Sequence, residues 1–267
     1  MDETPGMNDS RPPLLQMRGM SKAFGPVQAV VDVDLVLHSG EILGVVGDNA
    51  AGKSTLMNLL TAVHKPDAGV IYIEGAPVSI DSPRTARRLG IEMIHQDFSL
   101  SPNLSIMDNV FLGRELTRSV IGLPVLDRKK MKEITRNVIA ETGIHIDSVQ
   151  TLVTDLSGGQ RQVIAIARAL ASEARIIVMD EPTASLSVKA IPPLLDLMRR
   201  LRDTGIAIIF ITHRVQDILL TCDRVMVLRR GSCVGDAPIS DTSTAEVTGL
   251  ITGSREAFGM LPDQAEH

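Results

Sequence analysis

Three short segments of the chain are apolar at almost every position, namely Ile42 to Val46, Ile176 to Met179 and Ile206 to Ile211. Such runs are typical of strands buried on both faces of a parallel sheet. The segment from Leu14 to Leu37 alternates between apolar and polar positions instead, which indicates antiparallel strands with one buried face. The pattern therefore predicts an α/β fold with a mostly parallel core sheet and an N-terminal antiparallel β subdomain.

Between Asp97 and Asp155 the apolar positions follow a helical period, most clearly in Ile106 to Leu112 and Arg128 to Glu141. An α-helical subdomain is therefore expected at about residues 97–158, inside one domain that spans residues 14–249. Residues 1–13 contain three acidic residues and no apolar run, so we predict a flexible tail rather than a signal peptide. Residues 250–267 are predicted to be a second, mostly solvated tail.

A glycine-rich loop follows the first apolar strand and precedes an apolar helix that begins at Lys53. This order of strand, loop and helix is typical of a Walker A phosphate loop, which binds a nucleoside triphosphate through backbone N–H groups and the helix dipole. Lys53 would contact the outer phosphates, and the Ser54 hydroxyl could bind Mg²⁺. Ala50 stands where glycine is common; if that position needs a positive φ, alanine costs about 1 kcal/mol, and we expect binding to survive. The predicted nucleotide-binding loop consists of Gly47, Asp48, Asn49, Ala50, Ala51, Gly52, Lys53, Ser54 and Thr55.

A second candidate anion site is the run Leu156, Ser157, Gly158, Gly159 and Gln160, which opens another apolar helix. Serine is a favoured N-cap residue, and two glycines leave the free N–H groups of the helix start accessible. Taken alone, the run would more often be only a capped surface helix. The motifs that follow it favour the functional interpretation.

Those later motifs place polar side chains at two strand ends. Asp180 and Glu181 follow the strand Ile176 to Met179, and His213 follows Ile206 to Ile211. Hydrolysis of a terminal phosphate needs a bound Mg²⁺, an oriented water and positive charge near the leaving oxygen. Asp180 suits the Mg²⁺ shell and Glu181 suits polarisation of the attacking water. Without the phosphate loop, such a carboxylate pair would more often be solvated or cap a helix.

In this order and spacing the motifs resemble the ATP-binding cassette family, the ATPase subunits of ABC transporters, over about residues 14–249. The resemblance implies that Phe24 stacks on adenine, that Gln96 contacts both water and Mg²⁺, and that His213 contacts the γ-phosphate. It also implies a fold of the P-loop NTPase type, ATP and Mg²⁺ as ligands, and catalytic roles for Glu181, His213, Gln96 and Lys53. Metal ligation would fall to Ser54, Gln96 and Asp180.

The same resemblance implies the partners. Each ATP would lie between the phosphate loop of one chain and the Ser157–Gly159 segment of another, so the ATP-bound state is expected to be a homodimer. A groove beside Gln96 would receive a helix of one of two integral-membrane permease subunits. An external solute-binding protein would take part indirectly.

The stretches from Gln96 to Ile106 and from Asn109 to Glu115 are similar to the monosaccharide importers of the ribose, xylose and fructose type. This similarity implies ATP-driven uptake of a small sugar; nucleosides or another small solute are the alternative. Ser187 departs from the family pattern, since many cassettes have aspartate at this position. The absence of that aspartate leaves open how the two ATP sites of the dimer communicate. Pro192 and Pro193 are tolerated in a first helical turn, so that helix should begin at about Ile191.

The composition of the chain limits its expected partners and its expected location in the cell. The chain has 27 basic and 32 acidic residues, a net charge of −5, and no long basic run, so nucleic acid is not an expected partner. No stretch approaches the roughly 18 apolar residues of a membrane span, and two scattered cysteines fit a reducing cytosol. We expect a peripheral subunit on the cytoplasmic face of the membrane. A soluble cassette ATPase acting on ribosomes or DNA, and a small-molecule kinase using the phosphate loop alone, remain alternatives.

Overall fold

The computed structural model of the chain describes residues 12–184 and 186–254. Most of the two predicted tails, residues 1–11 and 255–267, lies outside this range. The strands are β1 Pro13–Phe24, β2 Val27–His38, β3 Ile42–Gly47, β4 Ala68–Ile73, β5 Ala76–Val78, β6 Ile91–Ile94, β7 Thr117–Val120, β8 Leu123–Leu126, β9 Ile176–Asp180, β10 Ala207–Ile211, β11 Arg224–Arg229 and β12 Ser232–Pro238. The helices are α1 Lys53–Leu60, α2 Pro83–Arg88, α3 Ile106–Val110, α4 Arg128–Glu141, α5 Gly158–Ala171, α6 Ile191–Asp203, α7 Val215–Thr221 and α8 Thr244–Thr252.

The central sheet has the strand order β12-β11-β3-β10-β9-β6, and only the edge strand β12 runs antiparallel to its neighbour. Strands β3 and β10 are buried at every position, as continuous apolar runs require. The predicted parallel core sheet is therefore confirmed. The parallel arrangement brings the carboxyl ends of β3, β9 and β10 to one edge of the sheet, where the polar motifs follow.

The N-terminal sheet has the order β2-β1-β4-β5 and is antiparallel throughout. Its inner face packs with α1 and one face of the central sheet in a single apolar cluster that includes Leu15, Leu35, Leu56 and Val45. The other face of the central sheet packs against α5, α6 and α8. The two elements that flank the phosphate loop, β3 and α1, are thus both anchored in the core.

The predicted helical subdomain contains α3, α4 and part of α5 around its own apolar cluster, with Ile106, Met131 and Ile164 among its members. Helix α5 also contributes Ile166 to the core of the central sheet. It therefore connects the subdomain rigidly to the sheet. Between α3 and α4 the structure also contains the β7–β8 hairpin, which the helical pattern did not predict.

The helix ends follow the sequence expectation in part. Helix α3 ends at Val110, two residues before the end of the predicted helical segment at Leu112. Helix α6 begins at Ile191, as expected from the proline pair. Helix α8 spans Thr244–Thr252, and its Leu250 is fully buried. Within the described ranges, no helix is both long and apolar enough to cross a membrane.

Candidate nucleotide-binding site

The phosphate loop follows β3 and leads directly into α1, and its glycines are needed for close backbone contacts. Gly47 has φ 156°, and a Cβ there would lie 2.3 Å from the Leu228 carbonyl oxygen. Gly52 has φ 102°, and a Cβ there would lie 2.4 Å from the Ala29 carbonyl oxygen. Both distances are far below van der Waals contact, so any side chain at Gly47 or Gly52 would displace the loop from β11 or β2. Asp48, Asn49, Ala50 and Ser54 are exposed, which leaves their backbone and hydroxyl groups accessible to a ligand.

Ala50 has φ 63°, so the position does adopt the left-handed conformation that favours glycine. We expect Ala50→Gly to raise the free energy of unfolding by up to about 1 kcal/mol, because glycine removes this backbone strain. Urea unfolding of the two proteins, with ATP binding measured in parallel, checks this. If the free energy of unfolding of Ala50→Gly equals or falls below that of wild type, the backbone at Ala50 is not strained.

Lys53, the first residue of α1, points its ammonium group back across the loop. Its Nζ donates hydrogen bonds to the carbonyl oxygens of Gly47 at 2.8 Å and Asp48 at 2.9 Å. Burial lowers the pKa of Lys53, while the carboxylates of Glu181, Asp180 and Asp48 act in the opposite direction. The Lys53 ammonium group is thereby held among loop carbonyls and carboxylates. The resemblance to ABC ATPases predicts that the outer phosphates bind at this place.

Asp180 ends β9, directly across from the start of α1. Burial raises the pKa of Asp180, and a hydrogen bond from Ser54 and the nearby His95 and Lys53 act in the opposite direction. The residues that would hold Mg²⁺ fit it, since one carboxylate and one hydroxyl together with phosphate oxygens are a usual Mg²⁺ ligand set. Gln96 lines an open cavity with Asp180, so the third predicted ligand faces the same space.

Glu181 and His213, from the ends of neighbouring strands, contact each other. The distance between His213 Nδ1 and Glu181 Oε2 is 2.9 Å. Glu181 has φ 51°, an unfavourable conformation for glutamate, and its N–H donates to the Ile211 carbonyl at 2.9 Å. Strained backbone of this kind is concentrated at functional sites, where surrounding contacts fix it. The histidine therefore orients a carboxylate whose backbone is already held by the next strand.

Phe24 ends β1 and keeps 43% of its surface exposed. Its ring meets the His64 ring edge to face at 5.1 Å between centroids, and Lys22 Nζ lies 5.5 Å from the Phe24 centroid. The aromatic face is thus held by neighbours without being buried in the core. This placement suits a stacking surface for a base, and the role stays a prediction.

Ser157 caps α5 in a reciprocal arrangement. The Gln160 N–H donates to Ser157 Oγ at 3.3 Å, and the Ser157 N–H donates to Gln160 Oε1 at 3.0 Å. Ser157 and Gly158 are exposed, so this helix start faces outward. The cavity lined by Ser157, Gly159 and Gln160 shares no residue with the cavity lined by residues 48–51. The two predicted anion sites therefore stay separate within the described part of one chain.

Sequence reasoning missed the residues on the outer side of the phosphate loop. Arg229 and Arg230 line a cavity of about 530 Å³ together with residues 48–51 and 251–253. Gly231 fixes this arrangement, because its N–H donates to the Ala51 carbonyl at 3.1 Å and its carbonyl accepts from the Val31 N–H at 2.8 Å. No local pattern marks these residues, since their position depends on the pairing of β11 with β3.

The central parallel sheet, the glycine loop between β3 and α1, and the carboxylates at the end of β9 define a P-loop nucleotide-binding protein. The sequence profile of the family described as ABC transporter matches residues 30–184, more than half of the chain. The chain belongs to the ABC transporter family.

Similar proteins agree with this assignment. The ribose import ATP-binding protein RbsA of Chromobacterium violaceum is 42% identical over 246 residues, which is 92% of this chain and 48% of that protein. The xylose/arabinose import ATP-binding protein XylG of Sulfolobus acidocaldarius is 41% identical over 239 residues, which is 90% of this chain and 94% of that protein. The chain thus spans about half the length of the RbsA protein.

Solved structures agree on the fold. The cbiO1 structure from Clostridium perfringens, described as part of the ABC transporter complex cbiONQ, superposes with a TM-score of 0.75 at 24% identity. The match covers 92% of this chain and 96% of that structure. The predicted fold class is confirmed.

Proposed function

We propose that this chain is the ATP-hydrolysing subunit of an ABC importer that drives uptake of a monosaccharide. The observation that carries the proposal is the convergence of Lys53, Asp180, Glu181 and His213 at one sheet edge, in a chain more than 40% identical to ribose and xylose/arabinose import ATP-binding proteins. A small-molecule kinase would need only the phosphate loop and would leave Glu181 without a role.

Each residue at this edge has a distinct task in hydrolysis. The loop N–H groups and Lys53 bind the β- and γ-phosphates and stabilise charge that develops on the leaving oxygen. Ser54, Asp180 and Gln96 would hold Mg²⁺, which supplies further positive charge to the phosphates. Glu181 accepts a proton from, or polarises, the attacking water, and His213 keeps its carboxylate oriented.

The separate position of the Ser157–Gly159 segment supports a two-chain site. Its exposed helix start offers N–H groups and a positive dipole end, and the described part of the same chain brings no ligand site to it. In a head-to-tail homodimer, this segment would bind the γ-phosphate held by the partner's loop. ATP would then hold the dimer closed, and hydrolysis would release it.

The groove predicted beside Gln96 supports the permease partner. A cavity of about 240 Å³ is lined by His95 and Ser99, on either side of Gln96, and by residues of the helical subdomain such as Leu112. Arg168, on α5, donates hydrogen bonds to the carbonyl oxygens of Phe98 at 3.1 Å and Ser99 at 2.9 Å. A helix of the permease seated in this groove would therefore contact the segment around Gln96 and, through Arg168, the helix α5 that Ser157 caps.

In this proposal the chain lies on the cytoplasmic face of the membrane with two permease subunits, and an external solute-binding protein delivers the sugar. Nucleosides or another small solute are the alternative cargo, because the permease and the solute-binding protein, and not this chain, would select the cargo. Action on ribosomes or DNA is less well supported, since the net charge of −5 does not favour binding to phosphate backbones.

Uptake of labelled pentoses, hexoses and nucleosides tests the proposal in cells that express the chain with its neighbouring permease and binding-protein genes. Wild type is compared with Glu181→Gln, and Glu133→Gln on the exposed side of α4 is the control. We expect accumulation of one monosaccharide by wild type and the control, and none by Glu181→Gln. If a nucleoside is the only compound whose uptake depends on Glu181, the cargo is a nucleoside and not a monosaccharide. No Glu181-dependent uptake of any compound would contradict the importer role.

A further inference from the structure

The β7–β8 hairpin is a protruding element with an apolar tip. All eight strand residues, Thr117–Val120 and Leu123–Leu126, are exposed. The hairpin leaves the helical subdomain between Met131, a member of the apolar cluster there, and Leu116, which packs against that cluster. The Asp127 N–H donates to the Leu116 carbonyl at 2.8 Å. Strands of four residues carry the tip about 13 Å from this base. Such a hairpin has little to gain in stability from exposed apolar side chains.

The tip itself is unfavourable for a protein surrounded by water. Ile121 is 98% exposed and has φ 52°, a conformation that is strained for a β-branched residue. Together with Gly122 at φ 79°, it forms a tight turn in which asparagine would fit with less strain. Isoleucine here serves neither the turn nor the core. The conformational cost therefore points to a role in contact with something outside the chain.

The apolar character continues along one face of the hairpin. Val120 pairs with Leu123, and Arg118 pairs with Val125, so these four side chains share a face. Leu123 is 68% exposed and Val125 is 44% exposed. The face therefore combines three exposed aliphatic side chains with one cation, directly behind the apolar tip.

The surroundings of the hairpin are positively charged, in contrast to the rest of the chain. Residues 114–136 contain seven basic and three acidic residues, a balance of +4, whereas the whole chain has −5. The basic residues are Arg114, Arg118, Arg128, Lys129, Lys130, Lys132 and Arg136. Carboxylates from outside the segment pair with two of them, Glu92 with Arg114 and Asp108 with Arg128. A positive surplus remains, and Lys129 and Lys130 are exposed at the hairpin base.

The hairpin also lies beside the groove assigned above to the permease. Leu112 and Arg114 line that groove, and β7 begins three residues after Arg114. An element next to this groove would face the membrane in the assembled importer, so this step rests on the proposed function.

We propose that the β7–β8 hairpin inserts its Ile121 tip into the headgroup region of an anionic lipid bilayer, with the surrounding lysines and arginines binding lipid phosphates. Apolar side chains that penetrate the interface and cations at headgroup level are the combination that binds peripheral proteins to anionic membranes. A convex tip needs no complementary pocket, which a protein partner would have to supply. The contact would help hold the subunit at the membrane while the dimer opens and closes.

Flotation with protein-free vesicles tests this, using phosphatidylcholine alone and phosphatidylcholine mixed with phosphatidylglycerol. We expect the full chain to float with the mixed vesicles at low salt, less at high salt, and not with phosphatidylcholine alone. Ile121→Asn should weaken binding about tenfold through loss of apolar burial. Leu220→Asn, which changes an exposed leucine on α7, should bind as wild type does. Lys129→Glu combined with Lys130→Glu should weaken binding to the mixed vesicles.

Ile121→Asn should unfold at no lower temperature than wild type, because asparagine adopts the left-handed region more readily. Its ATP turnover without lipid should also equal that of wild type. The proposal is overturned if wild type fails to float with anionic vesicles at low salt, or if Ile121→Asn floats equally well. A third preparation, the mixed lipids reconstituted with membrane proteins, separates a lipid contact from a protein contact. Flotation with that preparation alone would assign the tip to a protein surface and overturn the proposal too. The protein-free vesicles contain no permease and no sugar, so failure of the uptake experiment and failure of this one are distinguishable.

Discussion

Glu181→Gln is expected to lower the ATP turnover number by at least about 100-fold while ATP still binds. The amide cannot accept a proton from the attacking water, yet it has nearly the shape of the carboxylate and can keep a hydrogen bond with His213. The phosphate loop, Lys53 and Asp180 are untouched, so nucleotide affinity should stay within a few-fold of wild type. Steady-state phosphate release and equilibrium binding of ATP measure the two quantities.

Glu133→Gln on α4 is the matched control, since it makes the same chemical change at an exposed helical position away from the site. It should leave turnover unchanged. If Glu181→Gln hydrolyses ATP at a rate close to wild type, Glu181 is not the group that activates water. A loss of ATP binding in Glu181→Gln would show instead that the carboxylate mainly holds the phosphate loop through Lys53.

Lys53→Ala is expected to weaken ATP binding by about 10- to 100-fold, because a hydrogen bond to a charged group contributes roughly 1.5–3 kcal/mol. Two further effects act in the same direction. The ammonium group bridges the carbonyl oxygens of Gly47 and Asp48, so its loss loosens the loop. The substitution also removes the cation that lies near the carboxylates of Asp180 and Glu181. Calorimetric titration with ATP and Mg²⁺ measures the change.

Lys130→Ala, at an exposed position on α4, is the control and should bind ATP as wild type does. The affinity for adenosine, which has no phosphates, should change little in Lys53→Ala, because the proposed role of the lysine is to bind phosphates. Equal ATP affinity of Lys53→Ala and wild type would contradict the assignment of the phosphate loop.

The sequence predicted the core sheet and the phosphate loop because their signals are local. The apolar runs of β3, β9 and β10 are long enough to identify buried strands, and the motifs at their ends follow within a few residues. The start of α6 at Ile191 was also predictable, since a proline pair is compatible only with the first turn. The family prediction rested on the same motifs and is confirmed by the family match.

Other features depend on contacts that no local pattern reveals. The β7–β8 hairpin exposes its apolar residues, so the usual inference from apolar alternation to a buried face fails there. Arg229 and Gly231 reach the phosphate loop only because β11 pairs with β3 across a long stretch of chain. The sequence alone did not decide whether Ala50 has a positive φ, because the whole loop sets φ at that position. The roles of the individual site residues stay predictions until the variants are measured.

We infer that two copies of this chain complete each other's ATP sites. The molar mass of Glu181→Gln in solution, measured by light scattering with ATP and Mg²⁺ and again with ADP, is the measurement we would make first. One chain has a mass of 28.8 kDa. We expect twice that mass with ATP and the single-chain mass with ADP. A single-chain mass in both conditions, at ATP concentrations that saturate binding, would contradict it.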